Sequence, residues 1–244
     1  MVNTPKATEM KLVVEESVLS AFPSVRIGVL ALRNVDNHIG ADLASKLLEA
    51  QEHVRTTFAG LSVADHPRIH CWREAYRAFG AKPKKYPSSI ENLVRRTLEG
   101  EALRSINPLV DLYNVVSLQH LLPVGGEDLD AVEGDIRLRR ARDDEPMMRL
   151  LGEQQERAPK TGEVIYADDR GAICRRWNWK EADRTKLTER TQHAVLVLEA
   201  LPPVGRSELE EAMAALDELV RAHTGAETRA RVVDQDDPEL DLGS

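Results

Sequence analysis

The chain has 244 residues, of which 42% are hydrophobic and 30% are charged, and its formal net charge is −8. This length and composition are those of a globular protein that can bury a sizeable core without a disulfide or metal staple. They exclude a membrane-spanning helix, because no apolar run approaches the roughly 20 residues that cross a bilayer. The acidic balance leaves only local basic patches as a route to nucleic acid.

The amino terminus and the cysteines indicate a cytoplasmic protein. The first residues, MVNTPKATEMK, lack the apolar segment of a secretory signal. Cys71 and Cys174 lie far apart and outside any C-x-x-C pair, which predicts core or near-core thiols, not a zinc site or a disulfide-built fold. His66 and His70 stand four residues apart without a third ligand. We therefore expect no metal, no cofactor and no membrane segment.

The hydrophobic pattern predicts one α+β domain in which helices pack on antiparallel or mixed sheets. Strands are expected first, and helices follow; in chain order the strands are 11–14 and 25–32, and the helices are 41–58, 69–79, 88–100 and 109–122. From residue 135 the period changes to that of sheet, with strands around 136–139, at 164–167 and at 194–201.

The carboxyl-terminal part is predicted to hold one more helix and a tail. The helix spans 207–223 and begins with an S-x-x-E capping pattern formed by Ser207 and Glu210. Beyond Gly225 the sequence is rich in acidic and basic residues without an apolar period, so we expect a domain of residues 1–225 and a disordered acidic tail of residues 226–244.

Familiar catalytic motifs are absent from the sequence: it contains no G-x-x-x-x-G-K-[ST], G-x-G-x-x-G, H-E-x-x-H or G-x-S-x-G. The densest polar segment is 177–191, where Trp177 and Trp179 flank Asn178 and three threonines follow. The indoles could stack on a ligand, the Asn178 amide could hydrogen-bond to it, and Arg184 could bind a carboxylate or phosphate, as in a polar pocket. A turn whose tryptophans cap the core explains the same residues equally well.

A second segment, 105–118, carries Asp111 and Asn114 at helical spacing. Asp and Asn are poor residues for a helix interior, and at this spacing both can face one cleft while the leucines pack inward. Local capping after Pro108 is the alternative.

These segments resemble, in order and spacing, the B3/B4 module of the bacterial phenylalanyl-tRNA synthetase beta subunit. That module has an I-N-x-V-V-D-V-T-N-Y stretch, a Q-P-x-H-A-F-D turn, and strands of the types I-x-V-R-x-A, V-I-A-D and T-x-N-V-L-L-E-x-A. The counterparts here are 106–115, the turn from Leu122 to Asp128, 136–141, 164–168 and 191–200. The resemblance covers about residues 65–203 and is to a free-standing form.

The resemblance implies that a small cytoplasmic factor binds tRNA or aminoacyl-tRNA and hydrolyses a mischarged ester in trans. The module works through a positioned water and the terminal ribose, so no catalytic nucleophile is assigned, and aminoacylation is not expected of this chain. The expected substrate-binding residues are Tyr113, Asn114, Asn178, Arg184, Thr185 and Thr188. Two basic stretches beside them could contact nucleic acid, or could be solvated faces; the expected contacts are Arg137, Arg139, Arg175, Arg176 and Lys180.

Two departures from the motif bear on function. The histidine of the Q-P-x-H turn falls at Gly125, and the threonine of the V-D-V-T-N run falls at Tyr113. A pocket with these changes differs in shape and polarity from that of the synthetase. The main alternative is therefore a non-catalytic ligand- or RNA-binding module that keeps the fold, and a third is an unrelated small-molecule enzyme using the same cleft.

Overall fold

A computed structural model describes residues 10–38 and 43–243 of the chain. Within these ranges it contains six α-helices: α1 (Glu16–Leu19), α2 (Ala44–Thr57), α3 (Pro67–Ala78), α4 (Ser89–Leu98), α5 (Pro108–His120) and α6 (Arg206–Thr224). It also contains twelve strands: β1 (Lys11–Val14), β2 (Arg26–Arg33), β3 (Val124–Asp128), β4 (Ile136–Arg140), β5 (Met148–Arg149), β6 (Glu156–Arg157), β7 (Val164–Asp168), β8 (Gly171–Arg175), β9 (Lys180–Glu181), β10 (Ala194–Ala200), β11 (Glu227–Val233) and β12 (Glu239–Asp241).

The strands form two main sheets and one short ribbon. The larger sheet has the order β12-β1-β4-β7-β8-β9, the smaller has the order β11-β2-β10-β3, and β5 pairs with β6. Only the β1–β4 pair is parallel; the other pairs are antiparallel. This arrangement confirms the predicted α+β class with mixed and antiparallel sheets.

The smaller sheet is the middle layer of the molecule. Side chains alternate between its faces: on β2, Val29 joins a core shared with the larger sheet, whereas Leu30 joins a second core shared with α5 and α6. Burial on both faces explains why β2 and β10 are nearly continuous apolar runs. At Gly28 a Cβ atom would collide with Met213 of α6, so glycine here permits close packing of helix and sheet.

The helices α3, α4 and α5 each begin at a residue whose side chain caps the helix. Ser88 accepts a hydrogen bond from the Glu91 backbone N–H (3.4 Å), as the capping pattern predicts. His66 caps α3 through its side chain, and Asn107 caps α5 by accepting from the Val110 N–H (3.1 Å). Proline at the first position of α3 and α5 fits a helix start, where no N–H is needed.

Several predicted boundaries differ from the structure. The helix predicted over 41–58 corresponds to α2. Its predicted start at Ala41 lies outside the described residues, and α2 is observed from Ala44. The start of α6 is capped by Glu208, whose carboxylate accepts the Gly205 N–H (2.8 Å), and not by the predicted pair Ser207 and Glu210. The segment after Pro123, expected as a turn, forms the strand β3, because its backbone pairs with β10.

A disordered tail was predicted at 226–244, whereas the described part of this segment forms the strands β11 and β12. Residues of β11 pair with β2 along seven positions, and β12 pairs with β1. The polar residues that suggested disorder lie on an edge strand, where the backbone is paired while four of the seven side chains are exposed. The end of the chain therefore completes an edge of each main sheet.

Candidate ligand-binding site

A cavity of about 260 Å³ lies between the two sheets, beside α4 and α5. Its walls combine apolar side chains from both sheets, among them Leu12, Ile136 and Val195, with a small set of polar groups. The volume is near the lower end of the range for small-molecule pockets, and the mixture of apolar walls and few polar groups is typical of such pockets. The cavity is therefore suited to a ligand of amino-acid size.

A strained turn between β8 and β9 brings Asn178 to this cavity. Arg176 and Trp177 both have positive φ, 48° and 67°, which is uncommon for residues with side chains. The turn is held because the Trp177 indole is fully buried against Phe22 and Trp72, with ring centroids 4.9 and 5.2 Å away. On the other side of the turn, Arg176 stacks on Tyr86 and Trp179.

Asn178 belongs to a buried hydrogen-bond chain that crosses the cavity wall. Its side-chain carbonyl accepts from the Tyr76 hydroxyl (2.7 Å), and its amide N–H donates to Glu199 Oε2 (2.6 Å). The Tyr166 hydroxyl donates to Glu199 Oε1 (2.7 Å). Burial raises the pKa of Glu199 to about 7, although these hydrogen bonds oppose the rise. Both carboxylate oxygens of Glu199 thus have protein partners.

Two further carboxylates, Glu127 on β3 and Glu181 on β9, line the same cavity. Gly125 and Glu127 share one face of β3, being two residues apart. A Cβ atom at Gly125 would lie 3.0 Å from Glu181 Oε1, so Glu181 occupies the space that a side chain at residue 125 would need. Burial and the charge of Glu181 raise the pKa of Glu127 well above its usual range, and burial raises that of Glu181 to about 7.

A second cavity of about 580 Å³ adjoins the first. The two share a wall formed by Ile106, Val110, Tyr113, Leu151 and Glu181. The other wall residues of the second cavity are Asn107 and the segment 186–190, which includes Lys186, Thr188 and Arg190. The first cavity has three glutamates on its wall, whereas the second carries Lys186 and Arg190 together with Glu189.

The structure brings together four of the six predicted substrate-binding residues. Asn114 and Asn178 line the first cavity, Tyr113 lies between the two, and Thr188 lines the second. Arg184 and Thr185 line neither of the two. Arg184 is held in an ion pair with Asp168 (Nη1 to Oδ2, 2.8 Å), and Thr185 is fully buried. Their prediction as ligand contacts does not agree with this geometry.

Asp111, the predicted neighbour of Asn114 in a cleft, has a structural role instead. Its carboxylate is buried and accepts the Ile106 backbone N–H (2.9 Å) and the Ser105 hydroxyl. It therefore fixes the loop before α5, as the capping alternative proposed, while Asn114 faces the cavity.

Three of the five predicted nucleic-acid contacts are buried in the described structure. Arg139 pairs with Glu145, Arg175 pairs with Glu163 (Nε to Oε1, 2.7 Å), and Arg176 lies in the aromatic stack. The remaining two, Arg137 and Lys180, are partly exposed and pair with Asp135 and Glu153. The arginine-rich strands thus owe much of their charge to internal ion pairs, which sequence spacing does not reveal.

Both cysteines are poor nucleophiles. Cys174 lines the cavity, but burial raises the pKa of its thiol well above the usual range, and burial raises the pKa of Cys71 to about 11. The reactive form of cysteine is the thiolate, so both side chains are protonated at neutral pH. Among the described residues, no group of three or more His, Cys, Asp or Glu side chains is placed to hold a metal ion.

The residues missed from the sequence are the three cavity glutamates and Tyr166. Glu199 had a usable signal, since it is the only charged residue in the apolar strand AVLVLEA. A charge in a strand buried on both faces needs a partner or a function. Glu127 and Glu181 had no such signal in the sequence, because their burial arises only when β3 and β9 meet across the cavity.

The fold is a mixed α+β domain, with a partly open pocket between its two main sheets. Residues 71–222 match the family model of the B3/4 domain, and the chain belongs to this family. Among its relatives is the phenylalanine–tRNA ligase beta subunit of Psychrobacter arcticus, 32% identical over 176 residues, which are 68% of this chain and 21% of that subunit. The same subunit of Fusobacterium nucleatum is 28% identical over 143 residues, 58% of this chain and 17% of that subunit.

The matched region spans about a fifth of the length of these relatives. Among solved structures, an N-terminal fragment of the phenylalanyl-tRNA synthetase beta subunit from Pyrococcus horikoshii has a TM-score of 0.47 and 12% identity, covering 93% of this chain and 53% of that one. In residues 10–38 and 43–243, no helix has the length and apolar character to cross a membrane.

Proposed function

We propose that this protein binds aminoacyl-tRNA and hydrolyses the ester bond of a mischarged species in trans. The observation that carries the proposal is the pair of adjoining cavities, which share a wall at Tyr113 and Glu181. An aminoacyl ester has two dissimilar halves joined by one bond. A pair of dissimilar cavities meeting at one wall fits such a substrate.

The first cavity suits the amino acid. It is enclosed by apolar side chains such as Leu93 and Val197, and its polar groups come from a few fixed positions. The second cavity suits the terminal ribose and its phosphate, because Arg190 lies on its wall beside Lys186, which pairs with Asp183 (2.7 Å). The ester would then lie near Tyr113. Names of the relatives, which are tRNA ligase subunits, support tRNA as the partner.

Hydrolysis in this site proceeds without a protein nucleophile, since both thiols are protonated. A water molecule attacks the ester carbonyl, a bond forms from the water oxygen to that carbon, and the bond to the ribose oxygen breaks. The ribose oxygen takes a proton, and the products are a free amino acid and an uncharged tRNA. Orientation of water and ester, together with polarisation of the carbonyl, supplies the rate. Aminoacylation is not proposed, and the cytoplasm is the proposed location.

The test is deacylation of a panel of correctly and wrongly charged tRNAs by the purified protein. Tyr113→Phe and Thr188→Ala remove one hydroxyl each from the shared wall and the second cavity, and we expect at least tenfold slower hydrolysis of the preferred species. Tyr86→Phe and Thr56→Ala are matched controls that line neither cavity. No acceleration of any ester by the wild-type protein would exclude editing.

A non-catalytic ligand- or RNA-binding module is the second candidate, and the residue at position 125 favours it. Gly125 stands where the resembling synthetase motif has a histidine, and Glu181 fills the vacant space. The two functions differ in one readout: a binding module leaves spontaneous ester hydrolysis of bound aminoacyl-tRNA unchanged or slows it, whereas a hydrolase accelerates it.

A further inference from the structure

The first cavity contains carboxylates but no free cation to match them. The basic residues on its wall are Arg96 and Lys180, and each pairs with a carboxylate away from Glu127 and Glu181: Arg96 with Glu101 (2.8 Å) and Lys180 with Glu153 (2.9 Å). Arg184, the cation that acts on Glu127 from outside the cavity, is paired with Asp168. Among the described residues, neither Glu127 nor Glu181 forms an ion pair.

Glu127 is the least satisfied of these groups. The residue is only 8% exposed and lines the cavity. Burial raises the pKa of its carboxyl and the Thr185 hydroxyl opposes the rise, but Oε2 has no hydrogen-bond partner in the described part of the chain. A buried carboxylate oxygen without a partner is unfavourable, because no hydrogen bond compensates for its loss of solvation. Such a group in a ligand pocket is satisfied when a bound ligand supplies the missing donor.

Glu181 lies beside Glu127 on the cavity surface. Its Oε1 is against Gly125, which shares a face of β3 with Glu127 and lies two positions from it along the strand, about 7 Å. Burial raises the pKa of Glu181, and a hydrogen bond from the Gly126 backbone N–H opposes the rise. Gly125 is what admits the second carboxylate, since any side chain there would displace it. The two glutamates thus approach one region of the cavity from different strands.

We propose that Glu127 and Glu181 form a binding subsite for a primary ammonium group of the ligand. An ammonium donates three hydrogen bonds and carries the charge that this part of the cavity lacks. Glu199 does not take part, because Tyr166 and Asn178 already bind both of its oxygens. The inference rests on the proposed function and narrows it: the amino acid half of the substrate enters with its amine free, and an N-acylated ester is excluded.

Two ammonium groups fit this chemistry, the α-ammonium of any aminoacyl ester and the side-chain ammonium of a basic amino acid. Calorimetric titration with small amides distinguishes them without any hydrolysis. The probes are L-leucinamide and its N-acetyl form, and L-lysinamide with its Nα-acetyl and Nε-acetyl forms. Loss of binding on α-acetylation assigns the α-ammonium, and loss on ε-acetylation alone assigns a basic side chain.

The variants Glu127→Gln and Glu181→Gln keep size and remove charge. We expect acetylation of the recognised amine to weaken binding to the wild-type protein at least tenfold, and this discrimination to fall below threefold in each variant. Glu153→Gln, which alters an ion pair outside the subsite, is the matched control and keeps the wild-type discrimination. Melting temperatures of all four proteins establish that the variants are folded.

The subsite is overturned if no amine binds, if acetylation changes wild-type affinity less than twofold, or if discrimination survives in a double variant that combines Glu127→Gln with Glu181→Gln and whose melting temperature shows that it is folded. A calcium chloride titration is a further test. A calcium response that the double variant loses, without an amine response, would mean that the subsite binds a metal ion and not an ammonium group.

Failure of the proposed function can be distinguished from failure of the subsite. Amine-selective binding without deacylation leaves the subsite intact, and equal hydrolysis of acylated and free aminoacyl-tRNA overturns the subsite while leaving the hydrolase.

Discussion

Two regions of one cavity treat buried carboxylates in opposite ways. At Glu199 the fold provides a donor for each oxygen, from Tyr166 and Asn178, and a further tyrosine, Tyr76, holds Asn178 in place. At Glu127 and Glu181 the described residues provide no cation. The difference separates a carboxylate that belongs to the structure from a pair that is left for a ligand, although all three have raised pKa values.

The largest expected effect comes from breaking the satisfied region. Asn178→Ala removes the acceptor of the Tyr76 hydroxyl and one donor to Glu199, leaving two buried polar groups without partners. Each such loss is worth about 1–3 kcal/mol, so we expect the free energy of unfolding to fall by about 3 kcal/mol. Urea denaturation measures it. Asn34→Ala, an exposed asparagine outside both cavities, is the control, and an equally small change in both proteins would show that the network contributes little.

The unsatisfied region should respond in the opposite direction. Burial raises the pKa of Glu181 to about 7, so in the unliganded protein the charged form is disfavoured relative to the unfolded chain, where it titrates near 4.5. Between these values the folded state binds the extra proton, and stability contributed by this group falls as the pH rises from about 4.5 to about 7. Above pH 7 the full destabilisation is present.

Glu181→Gln removes this penalty. We expect the variant to be more stable than the wild type by about 2 kcal/mol at pH 8 and to match it at pH 4.5, as measured by urea denaturation at the two pH values. Partial exposure of Glu181 keeps the gain below the value that its pKa alone would give. A variant that is less stable at pH 8 would mean that the ionised carboxylate has a partner in the folded protein.

Strands buried on both faces could be predicted from the sequence. Strands whose conformation depends on hydrogen bonds to a neighbouring strand could not. The strands β2 and β10 are apolar along their whole length, so their own residues indicate them. In β11 most side chains are exposed, and its strand conformation depends on the hydrogen bonds to β2. The acidic composition after Gly225 therefore suggested disorder where the structure has a sheet edge.

The same distinction applies to the site. Asn178 was predictable because an amide between two tryptophans is a local pattern, and the turn that aims it is built from those neighbours. Arg184 and Thr185 follow closely in the chain but point to Asp168 and into the core. The acidic pair depends on a contact between β3 and β9, more than fifty positions apart in the sequence, which no local pattern encodes.

Substitution of Gly125 is expected to have the smallest effect, and it alters the Glu127–Glu181 region while leaving the Glu199 region unchanged. In Gly125→Ala the added methyl lies 3.0 Å from Glu181 Oε1, so the flexible carboxylate must shift by a few tenths of an ångström, while Glu199 and its donors are untouched. We expect the free energy of unfolding to change by less than about 1 kcal/mol. Affinity for the recognised amine should fall severalfold in calorimetric titration, because Glu181 moves away from the position that it shares with Glu127. Unchanged amine affinity would place the contact on Glu127 alone, since a glycine beside Glu181 would then have no bearing on the ligand.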